Sequence, residues 1–166
     1  MPRIKPINPR IKYYPPRLME QLEYIKSYPL TLVETPSGFG KATILEHFFD
    51  SRLPKSILQS RYEFMQVSSG KGWGQFCAMI AQADADCASR LEAIGPPDED
   101  TLPDIARELQ ALDCREDAYL WLDDFMNWEI NQPGAFLDAL SRHGGEGLHI
   151  IISMQPLARS RWGNAF

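Results

Sequence analysis

Residues 30–43 read Leu-Thr-Leu-Val-Glu-Thr-Pro-Ser-Gly-Phe-Gly-Lys-Ala-Thr, and they are the most informative stretch of the chain. The first four residues form a short apolar run that predicts a β-strand over residues 30–34. A glycine-containing turn follows, and from Lys41 the apolar residues Ile44, Leu45 and Phe48 recur at helical spacing. The order strand, glycine loop, helix is typical of a parallel α/β sheet.

The loop between this strand and helix has the composition of a phosphate-binding loop, the Walker A motif. Glycines let backbone N–H groups point at an anion, and the N-terminus of a helix attracts negative charge. A lysine at the start of the helix can reach the β and γ phosphates of a nucleotide. The predicted nucleotide-binding residues here are Pro36, Ser37, Gly38, Phe39, Gly40, Lys41, Ala42 and Thr43.

The loop departs from the full pattern GxxxxGK[ST] at two positions. Thr35 stands at the first glycine position, and Ala42 stands where a hydroxyl normally binds Mg²⁺. Thr43 comes one residue late and lies about 100° further round the helix, so it is expected to contact a phosphate and not to replace the metal ligand.

Three further strands are expected, at residues 62–67, 118–123 and 148–153. Helices are expected over residues 17–28, over 76–94 after a polar loop at 68–74, from Thr101 onward, and around Phe136–Leu140. Strands that alternate with helices predict a three-layer α/β fold with a parallel sheet.

The strand at 118–123 is a continuous apolar run that ends in two carboxylates, Asp123 and Asp124. In P-loop NTPases one such carboxylate contacts Mg²⁺, usually through water, and a neighbouring acid can polarise the attacking water. We therefore assign Asp123 to the metal and Asp124 to water activation, as in a Walker B motif. The alternative is that both residues only cap the loop after the strand.

Four segments together resemble a known family: Arg17-Leu18, Tyr28-Pro-Leu-Thr-Leu-Val33, Pro36-Ser-Gly-Phe-Gly-Lys41 and Leu120-Trp-Leu-Asp-Asp-Phe125. They resemble the N-terminal domain of MalT-like regulators, which are LuxR-family transcription activators of the STAND class of P-loop ATPases. The resemblance covers about residues 10–160. It implies binding of ATP or ADP with Mg²⁺, and a place for Arg17 beside the adenine. It also implies that nucleotide acts as a conformational switch that controls self-association and transcription.

Two departures from the family bear on hydrolysis. Ala42 replaces the family's threonine, and Met154 falls where the family has an arginine that senses the γ-phosphate. The expected activity is nucleotide binding with weak or no ATPase turnover. The alternative is a degenerate NTPase that binds no nucleotide and acts as an interaction or autoinhibitory module.

The length of 166 residues suits one domain. We expect an extended, basic, proline-rich arm over residues 1–16 and the nucleotide-binding domain over residues 17–166. The family's sheet has five strands in the order 5-1-4-3-2, and only four are found, so the domain is expected to stop before the fifth. The family's DNA-binding helix-turn-helix is not among these residues, so DNA would be a partner only through such a further segment.

Charge and composition indicate which partners and which cellular compartment to expect. The net charge is −5, and residues 1–17 hold five of the 17 basic residues and none of the 22 acidic ones. An acidic body disfavours direct binding of nucleic acid. No apolar stretch approaches 18 residues and no secretory signal is found, so no membrane association is expected. Three widely spaced cysteines without metal-ligand spacing favour a reducing cytoplasm.

Overall fold

The computed structural model describes residues 13–156, and the strands of this part form a single parallel sheet. The strand order is β1-β4-β3-β2, and every neighbouring pair is parallel. The predicted α/β class is confirmed, and the order matches the one that the family resemblance implies for strands one to four. The strands are β1 (Leu30–Glu34), β2 (Leu58–Glu63), β3 (Asp113–Asp123) and β4 (Glu146–Met154).

Helices connect the strands and cover both faces of the sheet. They are α1 (Pro16–Leu22), α2 (Lys41–Arg52), α3 (Ser69–Ile80), α4 (Ala85–Ile94), α5 (Leu102–Ala111) and α6 (Pro133–His143). Short 3₁₀ turns follow α1 at Glu23–Ser27 and β3 at Phe125–Asn127. Helices long and apolar enough to cross a membrane are not found in residues 13–156.

The apolar run of β3 is buried on both faces, as its lack of alternation predicts. Leu120 and Leu122 pack in a core with apolar residues of α3, α4, α5 and α6. Tyr119 and Trp121 point the other way and pack in a second core with α1 and α2. Successive side chains of a strand point to opposite faces, so β3 links the two cores of a three-layer fold.

The second strand lies earlier than the predicted residues 62–67. It ends at Glu63, after which the Phe64 N–H still bonds the Asp123 carbonyl at 2.9 Å. Gln66 then has φ of 45°, a left-handed conformation that cannot continue a strand. Phe64 and Val67, the apolar residues that suggested the strand, are buried in this irregular segment instead.

The segment predicted as a loop at 68–74 and one helix at 76–94 is in fact two helices. α3 begins at Ser69, and its Gly72 packs against Trp128, where an added Cβ would lie 2.2 Å from Nε1. The break falls at residues 81–84, where the Asp84 side chain accepts a hydrogen bond of 2.9 Å from the Cys87 N–H. Asp84 therefore caps a new helix, α4, which hydrophobic spacing alone does not reveal.

The basic arm predicted over residues 1–16 lies outside the described residues as far as residue 12. Residues 13–15 have no regular secondary structure, and α1 begins at Pro16. The expected absence of a fifth strand concerns residues beyond 156 and is likewise outside the described range.

Candidate functional site

The glycine loop after β1 has the backbone conformation that its glycines predict. Gly38 and Gly40 have φ of 82° and 74°, in the left-handed region that glycine adopts without strain. Each would have open space for a Cβ, so the glycines are required by the backbone conformation and not by packing. α2 starts at Lys41, directly after the loop, as expected.

The first turn of α2 has no capping side chain among the described residues. The first N–H groups of a helix lack partners within the helix and carry its positive dipole end. Lys41, Ala42 and Thr43 contribute these groups, and all three residues line a cavity at the loop. This end of the helix is therefore suited to an anion.

Lys41 lies beside the second carboxylate of β3. Its Nζ is 3.2 Å from Asp124 Oδ1, and the two side chains are 12% and 32% exposed. Asp124 follows the end of β3 and has φ of 50°, a left-handed conformation that Asp and Asn tolerate better than most residues. Lys41 and Asp124, 83 residues apart in the chain, thus form an ion pair inside the predicted site.

Asp123 is almost completely buried, and protein donors surround its carboxylate. Oδ1 accepts hydrogen bonds from the Ser153 hydroxyl and from the Asp124 N–H, the latter at 3.1 Å. Oδ2 accepts one from Arg61 at 2.5 Å. The Ser153 hydroxyl in turn accepts from the Trp121 indole N–H at 2.8 Å, so a chain of hydrogen bonds crosses β3 and β4.

Arg61 is the functional candidate that the sequence did not suggest. Besides Asp123 it binds Glu46 Oε1 at 2.6 Å, and its guanidinium lies 4.1 Å from the centre of the Trp121 ring. Burial lowers the pKa of Arg61, but the hydrogen bonds and charges of Asp123 and Glu46 outweigh it and raise that pKa. The available signal was its position in β2, level with Trp121, and the misplaced strand concealed it.

One cavity of about 240 Å³ joins these groups at the carboxyl edge of the sheet. This is below the roughly 300–1,000 Å³ of pockets that enclose whole ligands of drug size, so the cavity suits phosphates better than a complete nucleotide. Its lining comprises Pro36, Ser37, Gly38, Gly40, Lys41, Ala42, Thr43, Arg61, Glu63, Asp123, Asp124 and Gln155.

Two of the predicted site residues lie apart from this cavity. Phe39 belongs to the loop, but its side chain is 76% exposed and is not in the lining. Arg17 is exposed on α1 and is not in the lining either. The predicted contact of Arg17 with adenine stays a prediction.

The residues present do not fit a directly bound Mg²⁺. Ala42 supplies no hydroxyl, and both oxygens of Asp123 already accept hydrogen bonds from protein donors. In residues 13–156 no three acidic, histidine or cysteine side chains converge as a metal site. The assignment of Mg²⁺ to Asp123 through water stays a prediction that these contacts do not support.

Comparisons with protein-family models and with curated proteins find no match to this chain. The resemblance to STAND regulators therefore rests on the sequence motifs.

Proposed function

We propose that this chain is a regulatory nucleotide-binding domain that takes up ATP or ADP at its glycine loop. The observation that carries the proposal is that the loop, the first turn of α2 and Lys41 line one cavity. Backbone N–H groups at a helix N-terminus and a lysine ammonium are suitable donors for a chain of phosphates. Ligands of open parallel α/β sheets bind at this carboxyl edge.

The ion pair between Lys41 and Asp124 supports a role as a conformational switch. A phosphate that binds Lys41 competes with Asp124 for the ammonium, and Asp124 leads directly into the turn Phe125–Asn127. Asn127 is tied to the loop after β2, because its carbonyl accepts from the Val67 N–H at 3.0 Å and its amide donates to the Phe64 carbonyl at 3.0 Å. Displacement of Asp124 would therefore act on two segments, the turn Phe125–Asn127 and residues 64–67.

The resemblance to STAND regulators supplies the wider role in this proposal. Nucleotide state would control self-association or contact with a regulatory protein, and transcription would follow through a DNA-binding segment outside this chain. A reducing cytoplasmic setting is part of the proposal. Hydrolysis would be weak or absent, because Ala42 has no hydroxyl for a metal and Met154 is an uncharged, buried residue at the sensor position.

The test is calorimetric titration with ATP and with ADP, for the unchanged chain and for Lys41→Ala. Loss of one charge-assisted donor of about 1.5–3 kcal/mol should weaken binding about 10- to 150-fold. Lys55→Ala is the matched control, because Lys55 is an exposed lysine that pairs with Asp50 at 2.7 Å, away from the loop. Equal affinities for the unchanged chain and for Lys41→Ala would refute the proposal.

A degenerate domain that binds no nucleotide is the second candidate. The specific observation in its favour is that Lys41 and Arg61 already pair with Asp124 and Asp123 within the protein. If this second candidate is correct, no nucleotide raises the melting temperature of the protein. If the chain does bind nucleotide, a concentration of 100 times the dissociation constant should stabilise the native state by about 2.7 kcal/mol. That stabilisation raises the midpoint of thermal unfolding by several degrees.

A further inference from the structure

The guanidinium of Arg61 is bound to Asp123, the strand-end carboxylate that is normally free to contact Mg²⁺ in a P-loop site. In such sites Mg²⁺ neutralises the β and γ phosphates and is held by the loop hydroxyl and the strand-end acid. Here the hydroxyl position is Ala42, and the strand-end acid Asp123 is bound to Arg61 at 2.5 Å. The positive charge beside Asp123 is therefore supplied by the Arg61 side chain.

Arg61 is held in position from three sides. Glu46 binds one terminal nitrogen at 2.6 Å, Asp123 binds the other, and Trp121 lies under the plane of the guanidinium. The hydrogen bonds to Glu46 and Asp123 use two of the five N–H groups of an arginine. The charges and hydrogen bonds of these carboxylates raise the pKa of Arg61 further, so the side chain is a permanent cation.

The charge balance of the cavity makes this cation important. The lining contains Lys41 and Arg61 against three carboxylates, those of Glu63, Asp123 and Asp124. Without Arg61 a polyphosphate would meet one cation and three like charges. A Mg²⁺ ion at Asp123 would in turn lie next to the guanidinium, and repulsion between these two cations disfavours it.

We propose that Arg61 takes the place of Mg²⁺ in this site, so that the chain binds nucleotide in its metal-free form. The inference rests on the proposed function and specifies the form of its ligand. Arginine suits the role because its planar guanidinium presents five N–H donors in a fixed arrangement, so it can bind a carboxylate and a phosphate oxygen together. Arg61 is thus a phosphate-binding residue that the glycine-loop motif does not include.

The experiment is calorimetric titration with ATP in excess EDTA and in excess Mg²⁺. The unchanged chain should bind ATP in EDTA, and Mg²⁺ should improve the affinity by less than about threefold, which is under 1 kcal/mol. Arg61→Gln should weaken binding in EDTA at least about tenfold, because a charge-assisted contact is lost. Arg107→Gln is the control, since Arg107 is an exposed arginine that pairs with Asp104 on α5.

A second variant tests the same inference in the opposite direction. Arg61→Gln combined with Ala42→Ser frees Asp123 and restores the hydroxyl, so binding should become dependent on Mg²⁺. Thermal melting followed by circular dichroism is the control that tests whether each variant is folded.

Three outcomes would overturn the inference, and they can be distinguished. If the unchanged chain binds ATP only with Mg²⁺, and Lys41→Ala removes that binding, the metal is required and only the role of Arg61 fails. If the folded, unchanged chain binds ATP in neither solution, the proposed function fails as well. Unaltered binding by Arg61→Gln in EDTA would also refute the role of Arg61.

Discussion

Replacing Asp124 by asparagine separates two roles for this residue, water activation and competition for Lys41. The substitution keeps the size of the side chain and removes one negative charge beside the Lys41 ammonium. Asparagine also tolerates the left-handed conformation at this position, where φ is 50°. The backbone should therefore be unchanged, and the altered property is the strength of the ion pair.

The magnitude follows from the geometry of the pair. Two unit charges 3.2 Å apart attract by about 5 kcal/mol at an effective dielectric constant of about 20. Because Asp124 is 32% exposed, solvent screens much of this attraction, and exposed pairs contribute only about 0–1 kcal/mol. An intermediate value of about 1–2 kcal/mol corresponds to a factor of about 5–30 in affinity. Asp124→Asn should therefore bind ATP or inorganic pyrophosphate about 5- to 30-fold more tightly.

The assay is calorimetry at fixed ionic strength, with phosphate release measured on the same samples. Asp138→Asn is the control for net charge, because Asp138 pairs with Arg142 on the exposed face of α6 at 2.7 Å. Unchanged or weaker binding by Asp124→Asn would refute competition for Lys41. If Asp124 activates water, the variant would instead lose phosphate release and keep its affinity.

Two further predictions concern stability and the cysteines. Gly72→Ala should destabilise the protein by about 1–3 kcal/mol in urea unfolding, because its Cβ would lie 2.2 Å from Trp128 Nε1. The control is Gly70→Ala, which has open space for a Cβ in the same helix and should be neutral or stabilising. Equal effects of the two substitutions on the free energy of unfolding would contradict the packing of Gly72 against Trp128. Burial raises the pKa of the Cys77 thiol from 9.0 to about 12, so its contribution to stability is present below pH 9 and is lost as the pH rises toward 12. Native Cys77 should resist alkylation at pH 8.5 and react only on unfolding, as mass spectrometry would show; rapid alkylation of the native chain would contradict its burial.

Local patterns predicted much of the fold. The strand at residues 30–34 has the predicted bounds, and the other buried strands, β3 and β4, extend the predicted ones by a few residues. These predictions succeed because a continuous apolar run is needed wherever a strand is covered on both faces. The glycine loop was also predictable, since the left-handed backbone at Gly38 and Gly40 favours glycine.

The predicted secondary structure was wrong where a contact with a distant residue outweighed the local sequence pattern. Gly72 and its neighbours look like a loop, but packing against Trp128 makes this segment part of α3. The pattern of residues 62–67 predicts a strand, yet Phe64 and Val67 are buried in an irregular segment that pairs with the end of β3 and the residues after it. The spacing of hydrophobic residues indicates which residues are buried, but it does not indicate which helix or strand packs against them.

The candidate site shows the same division between local and distant information. The motif around Lys41 is contained in a few consecutive residues, because a phosphate-binding loop is built from its own backbone, and the sequence alone is enough to identify it. The partners of its charges lie 83 residues apart for Lys41 and Asp124 and 62 residues apart for Arg61 and Asp123. Parallel pairing of β2, β3 and β4 brings Glu63, Asp123 and Ser153 to one level at the carboxyl edge. Which cation meets which carboxylate depends on this register, and register is a property of the folded sheet.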